Sequence, residues 1–205
     1  LLRDSSGGMW AGSYGGGLQR YGASSGLWVR RGEGGDDSVL ADADVRSLVQ
    51  LTGGEIWAGT SERGVAVLDA KLRLIGEIRP HGSGAKDFAG GLVGAIAQTP
   101  DGRIWVGTDT GIYEFNAQRR LLGKYRAGQG RARRLLATRD GVLWVGTQDG
   151  VYRRGPGTDG FERVRLADGS ALAGNVNALA EAADGSVWVG GNSGLYHAAA
   201  GPAAL

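Results

Sequence analysis

Few residues of the chain are of the types that carry out chemistry. The sequence has two histidines, His81 and His197, and no cysteine. His81 lies in a glycine-rich stretch over 80–91, and His197 lies in an apolar segment near the end of the chain. Transition-metal sites need several convergent nitrogen or sulfur ligands. We therefore expect neither a metal site nor a cofactor.

Carboxylates are the remaining candidates for catalysis. A glycosidase-type reaction needs two acids that face each other across a site. Glu62 and Asp109 could form such a pair from neighbouring repeats, with Asp149 as a further acid. Nothing else in the sequence supports this chemistry, so we expect a protein that is not an enzyme, and a propeller lyase or glycosidase remains a minor alternative.

The charge balance excludes two classes of partner. Formal net charge is +2, and 20 of the 23 basic residues are arginine. The arginines do not form one coherent basic stripe, which nucleic-acid binding requires. No apolar run reaches the length of a membrane span. We expect no nucleic acid as a partner and no membrane contact by this segment.

The elements that must position any site are revealed by an internal repeat. A short motif of an apolar residue, Trp, Val or Ala, and Gly recurs in five copies. The spacings between successive tryptophans are 47, 48, 39 and 44 residues, and the tryptophans are Trp10, Trp57, Trp105, Trp144 and Trp188. A near-constant period of this length indicates a repeat architecture.

Each copy is typical of short antiparallel strands. In the last copy, 175–182 and 186–191 alternate around an Asp-Gly turn, and 195–198 forms a third strand. An outer strand follows in other copies, such as 72–79 and 121–127. Four strands, A to D, per 40 to 50 residues predict an all-β fold, a β-propeller of four-stranded antiparallel blades. About five repeats are visible, and the blades cover about 1–31, 39–79, 88–127, 131–167 and 172–205.

The conserved positions within a copy have a structural interpretation. We expect the tryptophan of strand B to pack between blades. The glycine that follows it, as in Gly59, Gly107 and Gly146, would let neighbouring backbone approach closely. The next residue is a threonine in three copies and could hydrogen-bond locally to make the loop rigid.

The aligned copies resemble the two-component regulator propeller repeat. The best matches are residues 93–115, 140–154 and 176–198, whereas the first two copies have glycine in place of the turn aspartate. The resemblance implies a seven-bladed propeller in the periplasmic sensor region of a bacterial hybrid histidine kinase or diguanylate cyclase. It further implies signal transduction through a membrane anchor to an output signalling domain outside this chain.

The ends of the chain bear on ring closure. Leu1 and Leu2 align with the middle of strand A in later copies, and 199–205 is a poor strand D. Closure shares a strand between the two ends, and neither end offers a spare one. We expect part of a larger, seven-bladed ring, or a propeller with strands outside this sequence, rather than a closed five-bladed ring. Open strand edges also make a homodimer possible.

Candidate ligand residues lie in the B–C loops and the D–A connections, which we expect at the channel mouth. Arginine, acid and amide side chains there could bind a small polar ligand or a polysaccharide fragment through paired hydrogen bonds. Two alternatives stay open: a scaffold that makes only protein contacts, and ordinary solvated loops. The candidates are Asp44, Arg46, Glu62, Arg63, Asp109, Arg133, Arg134, Gln148, Asp149, Asn175, Asn177 and Asn192.

Overall fold

The computed structural model describes residues 1–22, 26–30, 40, 43–81 and 88–200. These residues form β-strands joined by turns and loops, and no helix occurs among them. Contacts divide the chain into two compact units, Leu1–Ile96 and Ala97–Leu205. Parts of the predicted loop over 80–91 and of the tail over 199–205 lie outside the described residues.

The first unit contains two complete four-stranded sheets, with their strands in sequence order. The sheet called blade 1 consists of β1 (Leu2–Arg3), β2 (Met9–Ser13), β3 (Gly17–Gly22) and β4 (Leu27–Arg30). Blade 2 consists of β5 (Val45–Gln50), β6 (Ile56–Thr60), β7 (Val65–Leu68) and β8 (Leu74–Ile78). The unit ends inside β9 (Val93–Gln98), the first strand of blade 3.

The second unit completes blade 3 and contains two further sheets. Blade 3 continues with β10 (Ile104–Thr108), β11 (Ile112–Phe115) and β12 (Leu121–Tyr125). Blade 4 consists of β13 (Arg134–Ala137), β14 (Leu143–Gly146), β15 (Val151–Arg154) and β16 (Glu162–Arg163). Blade 5 has three strands within the described residues, β17 (Val176–Glu181), β18 (Val187–Gly191) and β19 (Gly194–Ala198).

Strand register confirms the alignment of the repeats. The strand-B tryptophan lies opposite the same strand-A position in blades 1, 2, 4 and 5. These antiparallel pairs are Leu2 with Trp10, Val49 with Trp57, Leu136 with Trp144, and Ala180 with Trp188. Because a shift by one residue would send every side chain to the other face, a constant register keeps each tryptophan on the same face of its blade.

The A–B turns have one geometry in all five blades. In blade 3 the Gly102 N–H donates to the Thr99 carbonyl at 2.9 Å, and the Thr99 N–H donates to the Arg103 carbonyl at 2.9 Å. The turn glycine has a φ of 85° there, a left-handed conformation that favours glycine. The equivalent glycines of the other blades have φ between 85° and 86°, and they are Gly7, Gly54, Gly141 and Gly185. The sequence prediction of tight glycine turns is confirmed.

Four of the five repeat tryptophans are buried, and three of their indole N–H groups donate to different acceptors. Trp10, Trp57, Trp105 and Trp144 are at most 4% exposed. A buried indole N–H needs an acceptor. The N–H of Trp10 donates to Asp4 at 2.7 Å, that of Trp57 to Glu55 at 2.9 Å, and that of Trp105 to Thr99 at 3.1 Å. Trp188 differs, because 41% of it is exposed.

The strand-B glycine is the point of closest approach between successive blades, as predicted. A Cβ on Gly12 would lie 2.5 Å from Val45 Cγ1, and one on Gly146 would lie 2.6 Å from Val176 Cγ1. Real Cβ contacts are essentially never that short. In each case the valine begins strand A of the following blade. Glycine is therefore required at this position by packing rather than by an unusual φ.

The threonine after that glycine closes the B–C loop. Its hydroxyl donates to the carbonyl of a glycine three or four residues ahead, at 3.0 Å in Thr60, 3.1 Å in Thr108 and 2.9 Å in Thr147. These threonines are at most 2% exposed, so an unpaired hydroxyl would be costly there. The predicted local hydrogen bond is confirmed in all three copies.

Candidate functional site

Most predicted site residues lie at one end of their blades, called here the upper end. It carries the B–C loop and the connection from strand D to the next strand A. In the first unit, Asp44 and Arg46 form hydrogen bonds with such loops. The Asp44 carboxylate accepts the Gly15 N–H at 2.7 Å, and Arg46 Nε donates to the Ser61 hydroxyl at 2.8 Å. The Arg46 guanidinium also lies 5.2 Å from the ring centroid of Tyr14, which is 80% exposed.

Glu62 and Arg63 line a cleft in the first unit. Its volume is about 310 Å³, and Arg79 and Pro80 form another part of its lining. Arg79 is paired with Glu77 at 2.5 Å. The cleft therefore contains the predicted site residues Glu62 and Arg63. The guanidinium of Arg79, which also lines it, is already paired with Glu77.

Five predicted residues come together in the second unit, at the upper ends of blades 4 and 5. Arg133 donates to the Asn175 side chain at 3.4 Å, and Arg134 Nε donates to the Asn177 carbonyl at 2.7 Å. The Asn177 amide then donates to the Asn192 side chain at 2.8 Å. We call these five residues the blade 4–5 polar row. Asn177, Asn192 and Arg134 are exposed, so the row presents amide and guanidinium groups to solvent.

Asp149 has a structural task that the sequence did not indicate. Its carboxylate accepts hydrogen bonds from the hydroxyls of Thr147 and Tyr152 and from the Gln129 N–H at 3.2 Å. Burial by itself would raise the pKa of Asp149, but these donors outweigh it and hold the pKa below its ordinary value. The carboxylate is thereby an anchor for the connection between blades 3 and 4. A ligand role for Asp149 stays a prediction.

Asp109 lines a second cleft at the upper end of blade 3. The cleft has a volume of about 230 Å³. Its walls are the B–C loop from Asp109 to Gly111 and the connection from Arg126 to Gly130. Gly130, in this connection, packs against the B–C loop of blade 4. A Cβ on Gly130 would lie 3.0 Å from the Gln148 backbone nitrogen. Gln148 is exposed beside the cleft but is not part of its lining.

Sequence reasoning missed Arg126 and Gln129 as members of this cleft. They follow strand D within a stretch of ordinary polar and small residues, "YRAGQGR". The signal available was three polar residues, Arg126, Gln129 and Arg131, interspersed with Gly128 and Gly130. It is not specific, since many loops have that composition.

A larger cavity lies at the opposite, lower end of blade 4. Its volume is about 540 Å³, within the usual range for ligand pockets. The C–D connection over 155–161 covers it, and Asp140, Phe161 and the Arg153–Glu162 ion pair are among its lining. No candidate residue from the sequence lines this cavity.

The C–D connection of blade 4 departs from the turn used in blades 2 and 3. There the side chain of Asp69 or Asn116 accepts a backbone N–H four residues ahead, at 2.9 Å in both. The turns place Leu72 and Arg119 at φ of 64° and 63°, which is uncommon without glycine. Blade 4 has "GPGTDGF" instead, and its outer strand β16 has only two residues. Five residues of this longer connection line the cavity: Gly155, Pro156, Thr158, Gly160 and Phe161.

Solved structures with a similar fold are known. The chain aligns with the extracellular domain of a protein described as a hybrid two component system, BT3049 from B. thetaiotaomicron, with 22% identity and a TM-score of 0.79. It aligns equally well in extent with the extracellular domain of a protein described as a one component system, BT4673 from the same organism, with 14% identity and a TM-score of 0.75. The alignments cover 96% and 93% of this chain but only 26% and 25% of those chains.

Another similar structure belongs to a protein described as a gluconolactonase. Identity is 15% and the TM-score is 0.60, and the alignment covers 95% of this chain and 71% of that one. At such identities the similarities establish the fold, which is a β-propeller made of four-stranded blades, and not the activity. The fold class predicted from the repeats is confirmed. No curated protein shows significant sequence similarity to the chain.

Within the described residues, no helix is long and apolar enough to span a membrane.

A family model gives the remaining comparison. Residues 87–110, which include β10 and its tryptophan, match the model described as two component regulator propeller. Those residues contain the motif that recurs with the same register in the other blades. The chain therefore carries the two component regulator propeller repeat.

Proposed function

We propose that this chain is a non-catalytic ligand-recognition module of a bacterial signal-transduction receptor. It binds a polar ligand at the upper ends of its blades, on the periplasmic side of the membrane. The output signalling domain belongs to the same receptor and lies outside these 205 residues. A membrane anchor connects the two.

The blade 4–5 polar row carries this proposal. The repeated tryptophan, glycine and threonine residues account for the strands and turns. At the positions of the polar row, by contrast, the residue types vary between blades. Its side chains form hydrogen bonds of 2.7 to 3.4 Å, one of them to the backbone carbonyl of Asn177, and are exposed at one end. Amides and guanidinium groups held by such bonds lose less entropy when a ligand binds. Amides both donate and accept hydrogen bonds, and guanidinium groups donate several at once.

The extracellular location rests on the similar structures. Both two component and one component neighbours are described as extracellular domains, and the matched repeat model carries the name of the same class of regulator. The chain spans about a quarter of those proteins. Transmission of a ligand signal requires two states with different ligand affinity, and we assign that change to the parts of the receptor beyond this segment.

A binding experiment tests the proposal. The panel consists of neutral mono- and oligosaccharides and of dicarboxylic acids, measured by calorimetry and by thermal shift. Asn177→Ala combined with Asn192→Ala removes exposed amide groups without touching the strand ladder. We expect at least one compound to bind and this double variant to weaken it about 10-fold, since two hydrogen bonds contribute about 1 to 3 kcal/mol.

Gln118→Ala is the matched control, because Gln118 is an exposed amide in the C–D turn of blade 3, at the lower end. It should bind the same compound as the unmodified chain. If no compound binds, or if the control variant loses affinity equally, recognition of these compounds by the blade 4–5 polar row is refuted. Full receptor output in the double variant would favour a scaffold that makes only protein contacts.

A further inference from the structure

We propose that the 230 Å³ cleft at the upper end of blade 3 binds a small zwitterion, such as an α-amino acid, between Asp109 and Arg126. The proposal rests on the proposed function and names a ligand class for one part of the same surface. Asp109 receives the ligand's ammonium group, and Arg126 receives its carboxylate.

Two opposite charges line the cleft without using each other. The side chains of Asp109 and Arg126 form no hydrogen bond or ion pair with any residue that the structure describes. Several other acids and bases of the second unit are paired, for example Arg103 with Glu114 at 2.6 Å and Arg139 with Glu181 at 3.1 Å. An unpaired carboxylate and an unpaired guanidinium in one cleft match a ligand that carries both charges.

The strand register sets the two groups on opposite walls. Ile112 pairs with Tyr125, so the residues just beyond this pair, Gly111 and Arg126, lie across from each other where β11 begins and β12 ends. Asp109 precedes Gly111 by two residues on the B–C loop. A Cβ on Gly111 would lie 2.8 Å from the Tyr125 carbonyl oxygen. The glycine therefore lets the two walls approach.

The walls are held in place before any ligand arrives. On the B–C loop, the Thr108 hydroxyl accepts the N–H groups of Thr110 and Gly111 at 3.1 and 3.2 Å. On the connection, the Asp149 carboxylate accepts the Gln129 N–H at 3.2 Å. Preformed walls reduce the entropy cost of binding. They also make the separation of the two charges a selective feature.

The cleft volume limits the ligand. At about 230 Å³ it admits a free amino acid with a small or medium side chain and excludes a disaccharide-sized body. The remaining lining consists of the polar residues Thr110 and Gln129, of three glycines, and of the buried Ile112, Ala127 and Ala132. Such walls leave a small apolar area for a methyl or methylene group and offer polar groups to a side-chain amide. We therefore select L-alanine and L-glutamine as probes.

Calorimetry with blocked analogues separates the two charges. N-acetyl-L-alanine has no ammonium group and L-alanine methyl ester has no carboxylate. We expect saturable binding of L-alanine or L-glutamine and weaker binding, by about 10- to 100-fold, of both analogues, since each removes one charge-assisted contact. Asp109→Asn and Arg126→Gln should each weaken the free amino acid by a similar factor. Both residues are exposed, so neither change should unfold the chain.

Matched controls keep the result specific. Arg131→Gln removes an exposed guanidinium close in sequence but outside the lining of the cleft, and Asp159→Asn removes an exposed carboxylate from the lower end of blade 4. Both should bind the probes normally. The proposal is overturned if no zwitterion binds at millimolar concentration, or if binding is unchanged in Asp109→Asn and Arg126→Gln.

The outcome also distinguishes this proposal from the function on which it rests. Binding of a sugar or a dicarboxylic acid that depends on Asn177 and Asn192, with no amino acid bound, refutes the zwitterion site and keeps the proposed function. Failure of both compound sets refutes both. Amino-acid binding that requires Asp109 and Arg126 supports both.

Discussion

Replacing Gly146 by alanine tests whether close blade packing holds the second unit together. The new Cβ would lie 2.6 Å from Val176 Cγ1 and 3.2 Å from Arg134 Cβ, and Val176 is fully buried. Overpacking of this kind costs about 1 to 3 kcal/mol. Loss of the flexible glycine from the unfolded chain offsets about 0.4 to 1 kcal/mol of that cost. We expect a net loss of about 1 to 2 kcal/mol, equivalent to a fall in Tm of about 2 to 8 °C for a chain of this size.

Gly190→Ala is the control, because Gly190 holds the same position in blade 5. Its Cβ would meet only the Ala178 Cβ, at 3.5 Å, an ordinary contact. Urea denaturation followed by tryptophan fluorescence measures both variants. Combining Gly146→Ala with Val176→Ala should recover part of the loss, as a non-additive term between neighbours. Equal destabilisation by Gly146→Ala and Gly190→Ala, or a strictly additive double variant, would refute the packing argument.

Three further predictions follow from burial, protonation and backbone conformation. Trp144→Ala should lower the free energy of unfolding by about 3 to 5 kcal/mol. Trp188→Ala should lower it much less because 41% of Trp188 is already exposed. Denaturant midpoints compare the two variants, and equal losses would contradict the burial argument. The pKa of Asp149 is lowered in the folded state, so its contribution to stability is complete above the ordinary pKa of about 4 and is lost as the pH falls through the folded-state pKa. As the pH is lowered, the urea midpoint should therefore fall less steeply in Asp149→Asn than in the unmodified chain. The same pH profile in both would reject the role of this carboxylate. Gly54→Ala should cost about 1 to 2 kcal/mol of stability because Gly54 has a φ of 86°, although an added Cβ would meet open space. Gly53→Ala, also in open space but at an ordinary φ, should be neutral or slightly stabilising. Thermal melts compare the two variants, and equal stability would show that the turn tolerates a side chain.

The repeated framework could be predicted because its signals are local. Each A–B turn depends on a glycine with positive φ, such as Gly102 at 85°, and each strand depends on alternation with period two. The tryptophan spacing then places equivalent residues in register, and the register pairs of the blades agree with that alignment. The extent of the blades as domains, including the tail after residue 200, stays a prediction.

Part of the lower-end geometry could not be predicted. The C–D turns of blades 2 and 3 place Leu72 and Arg119 at positive φ, and neither residue type favours that conformation. The conformation is imposed by the side chains of Asp69 and Asn116, which bind the backbone after the turn. A sequence pattern of one Asp and one Asn is too weak to reveal such a turn without the strands that frame it.

The candidate site shows the same division more sharply. The sequence determined that polar residues follow strands B and D, and therefore that they gather at one end of each blade. It did not determine which of them are used within the fold. Asp109 and Asp149 both lie in B–C loops of successive repeats, one and two residues after the loop threonine. Asp149 binds Thr147, Tyr152 and the Gln129 N–H, while Asp109 lines an open cleft.

By itself, the sequence determined the blades, their turns and their tryptophan–glycine–threonine framework, because each depends on residues within one repeat. Only the tertiary structure decided which charges are paired, that Arg126 shares a cleft with Asp109, and that Trp188 stays partly exposed. Those outcomes depend on which side chains the folded strands bring together, as the Ile112–Tyr125 pair does for Asp109 and Arg126. A local sequence pattern does not specify such pairings between strands.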